Sequence, residues 1–458
     1  MRIRILGHYW QLGVVLLWVL EFTVIYASGV LATRWLGSEQ SMVWIQAAVL
    51  AGCVMIAAIA MGLFSRRLRD RTLGIVVRIL ISVTAGAFLG WLLLNVTPDQ
   101  RPTLPEIVGF VAIGLISLVI VRVVTHRFVD EDILKRRVLV FGAGHNATRI
   151  LDLRRRNDQR GFKVLGFVPS GSEERMVPAD RLIATEGSLR AIAVELEIDE
   201  IVMAMDDRRQ QYPLKDLLDC RLNGIEVVEL ASFLERETGK VYLDILIPSW
   251  MIFGDGFRRD FIRRCSERAF DILASLVLLL ATLPVMLLTI LAIKLEEGIR
   301  APVLYGQPRV GFGGKVFRVM KFRSMRLDAE SDGRARWASA NDDRITRMGR
   351  FIRKVRIDEL PQLFNVLVGQ MSFVGPRPER PEFVAQLSET IPYYDVRHSV
   401  KPGITGWAQL CYPYGASEQD ALEKLQYDLY YVKNHNLVID VLILLQTVEV
   451  ILFNKGAR

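Results

Sequence analysis

Two carboxylates stand side by side in Arg356-Ile357-Asp358-Glu359-Leu360-Pro361-Gln362-Leu363, and Gly375-Pro376-Arg377-Pro378 follows closely. An Asp-Glu pair at the start of a helix, inside a strongly basic region, is what phosphoryl transfer through a carboxylate nucleophile requires. One carboxylate attacks phosphorus, basic side chains hold the phosphate oxygens, and the second carboxylate manages a proton or helps hold a metal. Taken alone, such a pair is only a cap with dipole compensation; Asp358 suits an N-cap and Pro361 the first turn of the helix that follows. The surroundings alter the balance. Gly375 to Pro378 and the stretch Lys401-Pro402-Gly403-Ile404-Thr405-Gly406-Trp407-Ala408-Gln409 are both rigid Pro/Gly loops that carry a cation. Such loops set backbone and guanidinium groups around an anion. Upstream, Arg344 to Arg356 repeats its charges mostly every third residue. That pattern suits a helix with a basic face on lipid headgroups, and equally a solvated charged helix.

The elements that must carry these residues begin in a membrane. The chain has 458 residues, 51% of them hydrophobic, with a net charge of +8 and a mean hydropathy of +0.26. This is long enough for two or three domains and too apolar for an ordinary soluble enzyme. Positive charge beside apolar segments favours anionic lipid and phosphorylated substrates over nucleic acid. Cys53, Cys220, Cys265 and Cys411 are far apart, with no metal or redox spacing, and read as reduced packing residues. The first apolar run has no small-residue cleavage exit, so it reads as a membrane segment and not as a signal peptide. Four apolar segments, at about 12–33, 42–64, 75–95 and 107–124, each approach the ~20 residues of a membrane-crossing helix. Arginine crowds the connections at 65–71 and 126–137, whereas the other two carry one Arg each. The positive-inside rule then puts both ends of this unit in the cytoplasm. A fifth run, Ala269 to Ile293, contains Pro284, and the region after it is rich in Arg and Lys. A helix broken at Pro284 that enters the inner leaflet and returns on the same side reconciles the two. A simple span is the reading hydropathy alone would prefer.

Residues 137–250 read as α/β, with strands expected at 137–141, 163–168, 200–205, 225–229 and 241–247. Gly142-Ala143-Gly144-His145-Asn146-Ala147 follows the first of them, which is a Rossmann-like pattern. The second strand ends at Val168-Pro169-Ser170, without an acidic residue to take a ribose hydroxyl. A structural or regulatory domain is favoured over a working dinucleotide site. The same fold suggests a rival, a membrane-anchored nucleotide-sugar dehydratase. Such enzymes usually need a Tyr followed four positions later by Lys, and no Tyr here has that partner.

Residues 265–458 resemble the bacterial sugar transferase family, the monotopic polyprenol-phosphate phosphoglycosyl transferases. The resemblance rests on Lys321-Phe-Arg323-Ser-Met325, Asp358-Glu-Leu-Pro-Gln-Leu-Phe-Asn365, Met371-Ser-Phe-Val-Gly-Pro-Arg-Pro378, Lys401 to Gln409 and Asp428-Leu-Tyr-Tyr-Val-Lys-Asn434, in that order. The whole chain resembles the long form of the family, and its Arg-Ile-Asp-Glu and Pro-Glu-Arg-Pro-Glu-Phe stretches point to the exopolysaccharide-initiating branch. The resemblance implies a ping-pong reaction. Asp358 attacks the β-phosphorus of a UDP-sugar, UMP leaves, and polyprenol phosphate, undecaprenyl phosphate in bacteria, takes up the phosphosugar. Glu359 assists with a proton or orients the nucleophile. Mg²⁺ is implied, with Asp358 near it. Lys321, Arg353 and Arg377 are expected on phosphates, with Arg323 beside Lys321. The site then faces the cytoplasm from the bacterial inner membrane.

Two departures from the family stand out. It often has Ser before the helix-breaking Pro, where this chain has Leu283 after Thr282, and Asp where this chain has Gln370. The expected architecture is a four-helix membrane bundle (1–130), an α/β Rossmann-like domain (131–255), and a mainly α-helical monotopic catalytic domain (260–458) with a re-entrant membrane helix at about 267–294. A homodimer or a regulatory ligand is a reasonable role for the middle domain. The final apolar stretch, 437–453, contains Asp440 and Glu449 and reads as a packing or surface-lying helix. A catalytically silent scaffold of a polysaccharide assembly complex is the second function class, and the intact Asp358-Glu359 pair and Lys321 argue against it.

Overall fold

The computed structural model describes residues 2–5, 8–36, 43–61, 63–64, 72–96, 101–128, 135–153, 161–171, 174–183, 188–207, 213–245, 261–326, 344–412, 415 and 417–453. The chain divides into two compact units, Met1–Leu246 and Ile247–Arg458.

The first unit opens with a short antiparallel hairpin, β1 (Arg2–Ile5) and β2 (His8–Gln11). Four apolar helices follow: α1 (Leu12–Trp35), α2 (Val43–Ala60), α3 (Thr72–Leu94) and α4 (Leu104–Phe128). Each is long and apolar enough to cross a membrane. They share a core of Ile25, Leu50, Val54, Ile79, Val83 and Phe110, among others. Buried Glu21 on α1 meets Arg122 on α4 (Nε–Oε1 2.5 Å), and Arg122 Nη1 also donates to the Leu63 carbonyl (3.2 Å) just beyond α2. Charges at membrane depth persist only when paired in this way. The arginine-rich connection 65–71, on which the orientation argument leans, lies outside the described residues, as do 129–134.

Next come β3 (Arg136–Phe141), α5 (His145–Leu151), β4 (Phe162–Val168), α6 (Leu189–Glu195), β5 (Glu200–Met203), α7 (Leu214–Leu222), β6 (Glu226–Glu229) and α8 (Leu230–Thr238). The strands form one parallel sheet in the order β4-β3-β5-β6. Apolar cores cover both of its faces, one around Phe162, Phe167 and Phe233, the other around Leu139, Ile201 and Leu217. The strand expected at 241–247 does not form among the described residues. Leu243–Ile245 is a 3₁₀ turn, and 246–247 lie outside them. The apolar residues there pack instead of pairing: Val241 is buried, Tyr242 and Ile245 rest on the sheet core, and Asp244 pairs with Arg149.

The glycine turn after β3 is filled by the chain itself. The Asp206 carboxylate accepts from the amides of His145 and Asn146, both at 2.7 Å, where a diphosphate would sit in a dinucleotide fold. A Cβ on Gly144 would lie 2.1 Å from Asp206 Oδ2, and Gly142, at φ +122°, would meet the Ala204 carbonyl. Both glycines are needed to admit the segment after β5.

The second unit begins with α9 (Phe261–Glu297), which has Pro284 inside it. At 37 residues it is about 55 Å long if straight. The break expected at Pro284 does not form: the helix runs on through it, although the proline removes the amide that would have bonded the Leu280 carbonyl. Thr282 Oγ1 donates to the Leu278 carbonyl (2.7 Å). A long hairpin, β7 (Leu304–Val310) and β8 (Val316–Phe322), follows, then α10 (Arg347–Lys354), α11 (Gln362–Val368), β9 (Ser372–Val374), α12 (Pro381–Thr390), β10 (Gly403–Thr405), α13 (Trp407–Cys411), α14 (Glu418–Asn434) and α15 (Leu437–Phe453). The unit is mainly helical, with β9 and β10 paired in parallel. Its core gathers Val319, Val366, Phe373, Tyr431, Ile439 and Ile443, so α15 packs into it.

Both ends of α9 are tied to this unit. Near its start, Arg268 donates to the Val366 (2.7 Å) and Leu367 carbonyls, and Asp271 Oδ1 accepts from Ser372 Oγ (2.9 Å) and the Phe373 amide (3.1 Å). Near its end, Glu296 accepts from the Arg347 (2.9 Å) and Met348 (3.0 Å) amides, capping α10. Between these anchors the helix turns leucines outward, with Leu280 73% and Leu288 66% exposed.

Buried Asn365 locks α11 to β8. Its Oδ1 accepts from the Met320 amide (3.0 Å), and its Nδ2 donates to the Arg318 carbonyl and to Gln370 Oε1, both 2.8 Å. An Asp at the Gln370 position would offer the same kind of acceptor.

Two stability outcomes follow. Asn365→Ala strips three hydrogen bonds from buried groups and should cost about 2–4 kcal/mol, against roughly 0.5–1.5 for Gln370→Ala. Gly144→Ala should cost about 1–3 kcal/mol by overpacking, with Gly52→Ala, where a Cβ meets nothing within 4 Å, as the neutral control. Thermal unfolding of the full chain in detergent measures all four.

Candidate active site

Asp358 and Glu359 occupy a 3₁₀ turn, Ile357–Glu359, between α10 and α11. The turn is set by Arg356, whose φ of 61° lies in the left-handed region. A side chain there costs roughly 1–2 kcal/mol. The pair therefore precedes the helix instead of starting it. Pro361 is the N-cap residue, Gln362 is the first helical residue, and no side chain caps the helix. The expectation that Asp358 serves as the cap and Pro361 sits in the first turn is corrected. The left-handed residue tightens the chain one turn early and leaves the Asp358 carboxylate uncommitted.

Asp358 is 8% exposed, and among the described residues its carboxylate is influenced by burial and neighbouring charges without a hydrogen bond. Glu359 is heavily engaged. Its Oε1 lies 3.4 Å from Lys321 Nζ, 3.5 Å from Arg377 Nη2 and 3.8 Å from Arg356 Nη1. The two carboxylates are pushed in opposite directions. Burial raises Asp358, and the neighbouring Glu359 charge raises it further, against the pull of Lys321, Arg353 and Arg356. Burial would also raise Glu359, but Lys321, Arg377 and Arg356 more than offset it and hold the carboxyl at about 2. Burial lowers the Lys321 ammonium, with Glu359 opposing that shift.

Each cation has its own support. Lys321 stands on β8, in the hairpin locked by Asn365. Arg353 is in the last turn of α10, whose N-cap Thr346 accepts from the Gly349 amide (2.9 Å). Arg377 sits in a turn whose carbonyls are all held: Pro376 by the Gly403 amide (3.0 Å), Arg377 by Arg397 Nη2 (2.9 Å), Pro378 by Arg309 Nη1 (3.0 Å) and Glu379 by the Val310 amide (2.9 Å). Gly375, Gly403 and Gly406 let the two Pro/Gly loops interlock, since a Cβ on any of them would lie 2.1–2.3 Å from backbone of the other loop or its neighbours. The structure places Lys321, Arg353 and Arg377 near the pair. Arg323 is placed elsewhere: its amide bonds the Val303 carbonyl and its charge acts on Glu297 at the end of α9.

Two residues of the site escape the sequence reading. Arg356 was visible only as a motif neighbour, and its role depends on a backbone angle that composition does not reveal. Arg397 is 6% exposed and carries no motif, although an arginine so close to the Lys401 loop was a signal of sorts.

Mg²⁺ needs oxygen donors. Among the described residues no group of three His, Cys, Asp or Glu side chains could hold a metal. Magnesium in phosphoryl-transfer sites is commonly held by one or two carboxylates plus substrate phosphates and water. Uncommitted Asp358 fits that role, whereas Glu359 is already neutralised by cations.

Residues 262–454 match the family described as bacterial sugar transferase. A UDP-N-acetylgalactosamine-undecaprenyl-phosphate N-acetylgalactosaminephosphotransferase of Aeromonas hydrophila is 44% identical over 53% of this chain and 56% of its own length. The chain therefore spans little more than half of that relative. A UDP-glucose:undecaprenyl-phosphate glucose-1-phosphate transferase of Xanthomonas campestris pv. campestris is 29% identical over 99% of this chain and 96% of its own. One of the same description from Klebsiella pneumoniae is 33% identical over 70% of this chain and 69% of its own. With its motifs in order and similarity of this extent, the chain belongs to the bacterial sugar transferase family.

Proposed function

We propose that this protein transfers a sugar 1-phosphate from a UDP-sugar to undecaprenyl phosphate through a covalent intermediate on Asp358, as the first step of exopolysaccharide assembly. The observation that carries this reading is the contrast inside the pair: a buried, uncommitted Asp358 beside a Glu359 neutralised by three cations. Asp358 Oδ forms a bond to the β-phosphorus as the bond from that phosphorus to the bridging oxygen breaks, and UMP leaves with that oxygen. A phosphate oxygen of the polyprenol phosphate then attacks the same phosphorus and restores the free carboxylate. Lys321, Arg353, Arg356 and Arg377 bind the diphosphate oxygens. Four cations against two carboxylates leave an excess of two positive charges, which a diphosphate with two negative charges balances. Glu359, held at about 2, carries no proton at neutral pH. It spaces the cations and orients its neighbour. Bound Mg²⁺, with Asp358 as its protein donor, would supply further charge neutralisation on the diphosphate.

The membrane arrangement supports a site reached by cytoplasmic UDP-sugar. A helix tied near both ends to the unit that bears Asp358 suits a segment held on one side of the membrane better than a crossing. The dehydratase rival loses ground, because Asp206 already holds the amides a dinucleotide would use.

Membranes supplied with Mg²⁺, undecaprenyl phosphate and a panel of UDP-sugars should release UMP, and Asp358→Ala should cut release roughly a thousandfold or more. UDP-glucose and UDP-N-acetylgalactosamine head the panel, since relatives named for each are similar to this chain. No release from any sugar by well-folded protein would favour the scaffold. A second outcome concerns pH. The attacking form of Asp358 is ionised and its pKa is raised, so the first-turnover rate should fall with acid above the usual aspartate range near ~3.9. Glu359→Gln removes the like charge and should move that acid limb to lower pH, whatever it does to the plateau. For topology, a cysteine at Lys315 in a cysteine-free chain should resist an impermeant maleimide in intact cells and react in inverted vesicles. Labelling from outside would mean that α9 crosses.

A further inference from the structure

We propose that the buried ion pair between Arg397 and Asp428 is a positioning device that fixes Arg377 for diphosphate binding; this rests on the reading above. Arg397 lies in a 3₁₀ segment, Tyr394–Ser399, and Asp428 on α14. Both are nearly inaccessible, at 6% and 2% exposure. Arg397 Nη2 meets Asp428 Oδ2 at 2.8 Å and also donates to the Arg377 carbonyl at 2.9 Å, while Nη1 donates to Tyr394 Oη at 2.7 Å. A single guanidinium therefore joins α14 to the peptide of the residue whose own side chain reaches Glu359.

The arrangement goes further than stability requires. Pro376 and Pro378 fix φ on either side of Arg377, but proline does not fix the rotation of the peptide between them. The Pro376, Pro378 and Glu379 carbonyls are held by the neighbouring loop and hairpin. The Arg377 carbonyl is held by a buried charge that is itself anchored on a helix. Burying an ion pair is weak evidence of net stabilisation, because desolvation offsets most of the attraction. A rigid, bidirectional guanidinium is well suited to setting one peptide plane. Turning that plane would swing the Arg377 side chain off Glu359 and away from a bound diphosphate. Arg397 touches neither Asp358 nor Glu359, so it acts through Arg377.

The test is a double-mutant cycle on the full chain in detergent, read by UDP affinity without turnover and by UMP release. Arg397→Lys and Arg377→Ala should each weaken UDP binding on the order of tenfold, the scale of one weakened charge-assisted hydrogen bond. In the Arg377→Ala background, Arg397→Lys should add less than about twofold, because both changes act on one contact. Asp428→Asn, which keeps an acceptor and loses the charge, should behave likewise and serves where Arg397→Lys does not fold. Losses that multiply in the double variants, or unchanged UDP affinity with only a lower melting temperature, overturn the proposal. A wild type that binds UDP yet releases no UMP sinks the transferase reading and leaves the positioning role standing; an active wild type with multiplying losses does the reverse.

Discussion

Three cations converge on one oxygen of Glu359, and most of the second unit is arranged to deliver them. Lys321 comes from a hairpin, Arg356 from a left-handed turn and Arg377 from an interlocked Pro/Gly loop. These elements are far apart in sequence, and like charges brought this close repel. Glu359 lowers that cost by standing between them, and in doing so it gives up any capacity to carry a proton. Its charge also raises Asp358, next to it in sequence. One carboxylate thus sets both the density of positive charge and the basicity of its neighbour, so the two residues of the pair are not interchangeable.

Precision in the site comes from buried polar contacts and not from the apolar core. Asn365 ties the helix after the pair to the strand bearing Lys321, and Arg397 ties α14 to the loop bearing Arg377. Apolar packing holds elements together but leaves small rotations open. Hydrogen bonds from planar groups remove those rotations, because an unmade bond in a buried place is expensive.

The sequence made the coarse layout legible where a strong physical signal repeats. Four apolar stretches of membrane length became four helices, and strands at 163–168 and 225–229 fell within a residue of where the chain pairs. Lys321, Arg353 and Arg377 were legible through their motifs, whereas Arg356 was not, and Arg323, on the strand's continuation, acts on Glu297 instead. What stayed hidden depends on long-range approach. The alternating apolar residues at 241–245 look like a strand but pack as a turn, since alternation cannot say whether a sheet edge is available. Gly142 and Gly144 show in the sequence only as part of a Rossmann-like turn, and the proximity of Asp206, some sixty residues on, shows what they admit. The left-handed angle at Arg356 has no compositional trace at all.

The double anchoring of α9 has a consequence for how this architecture assembles. This apolar helix, long enough to cross a membrane, is fastened through Asp271 near one end and Glu296 near the other to the same unit that bears Asp358. The contacts that seat this apolar helix and those that surround Asp358 therefore lie in one compact unit, Ile247–Arg458. Such a segment can be carried from protein to protein as a self-sufficient cassette. The four helices and the sheet that precede it form the other compact unit and close their own apolar cores.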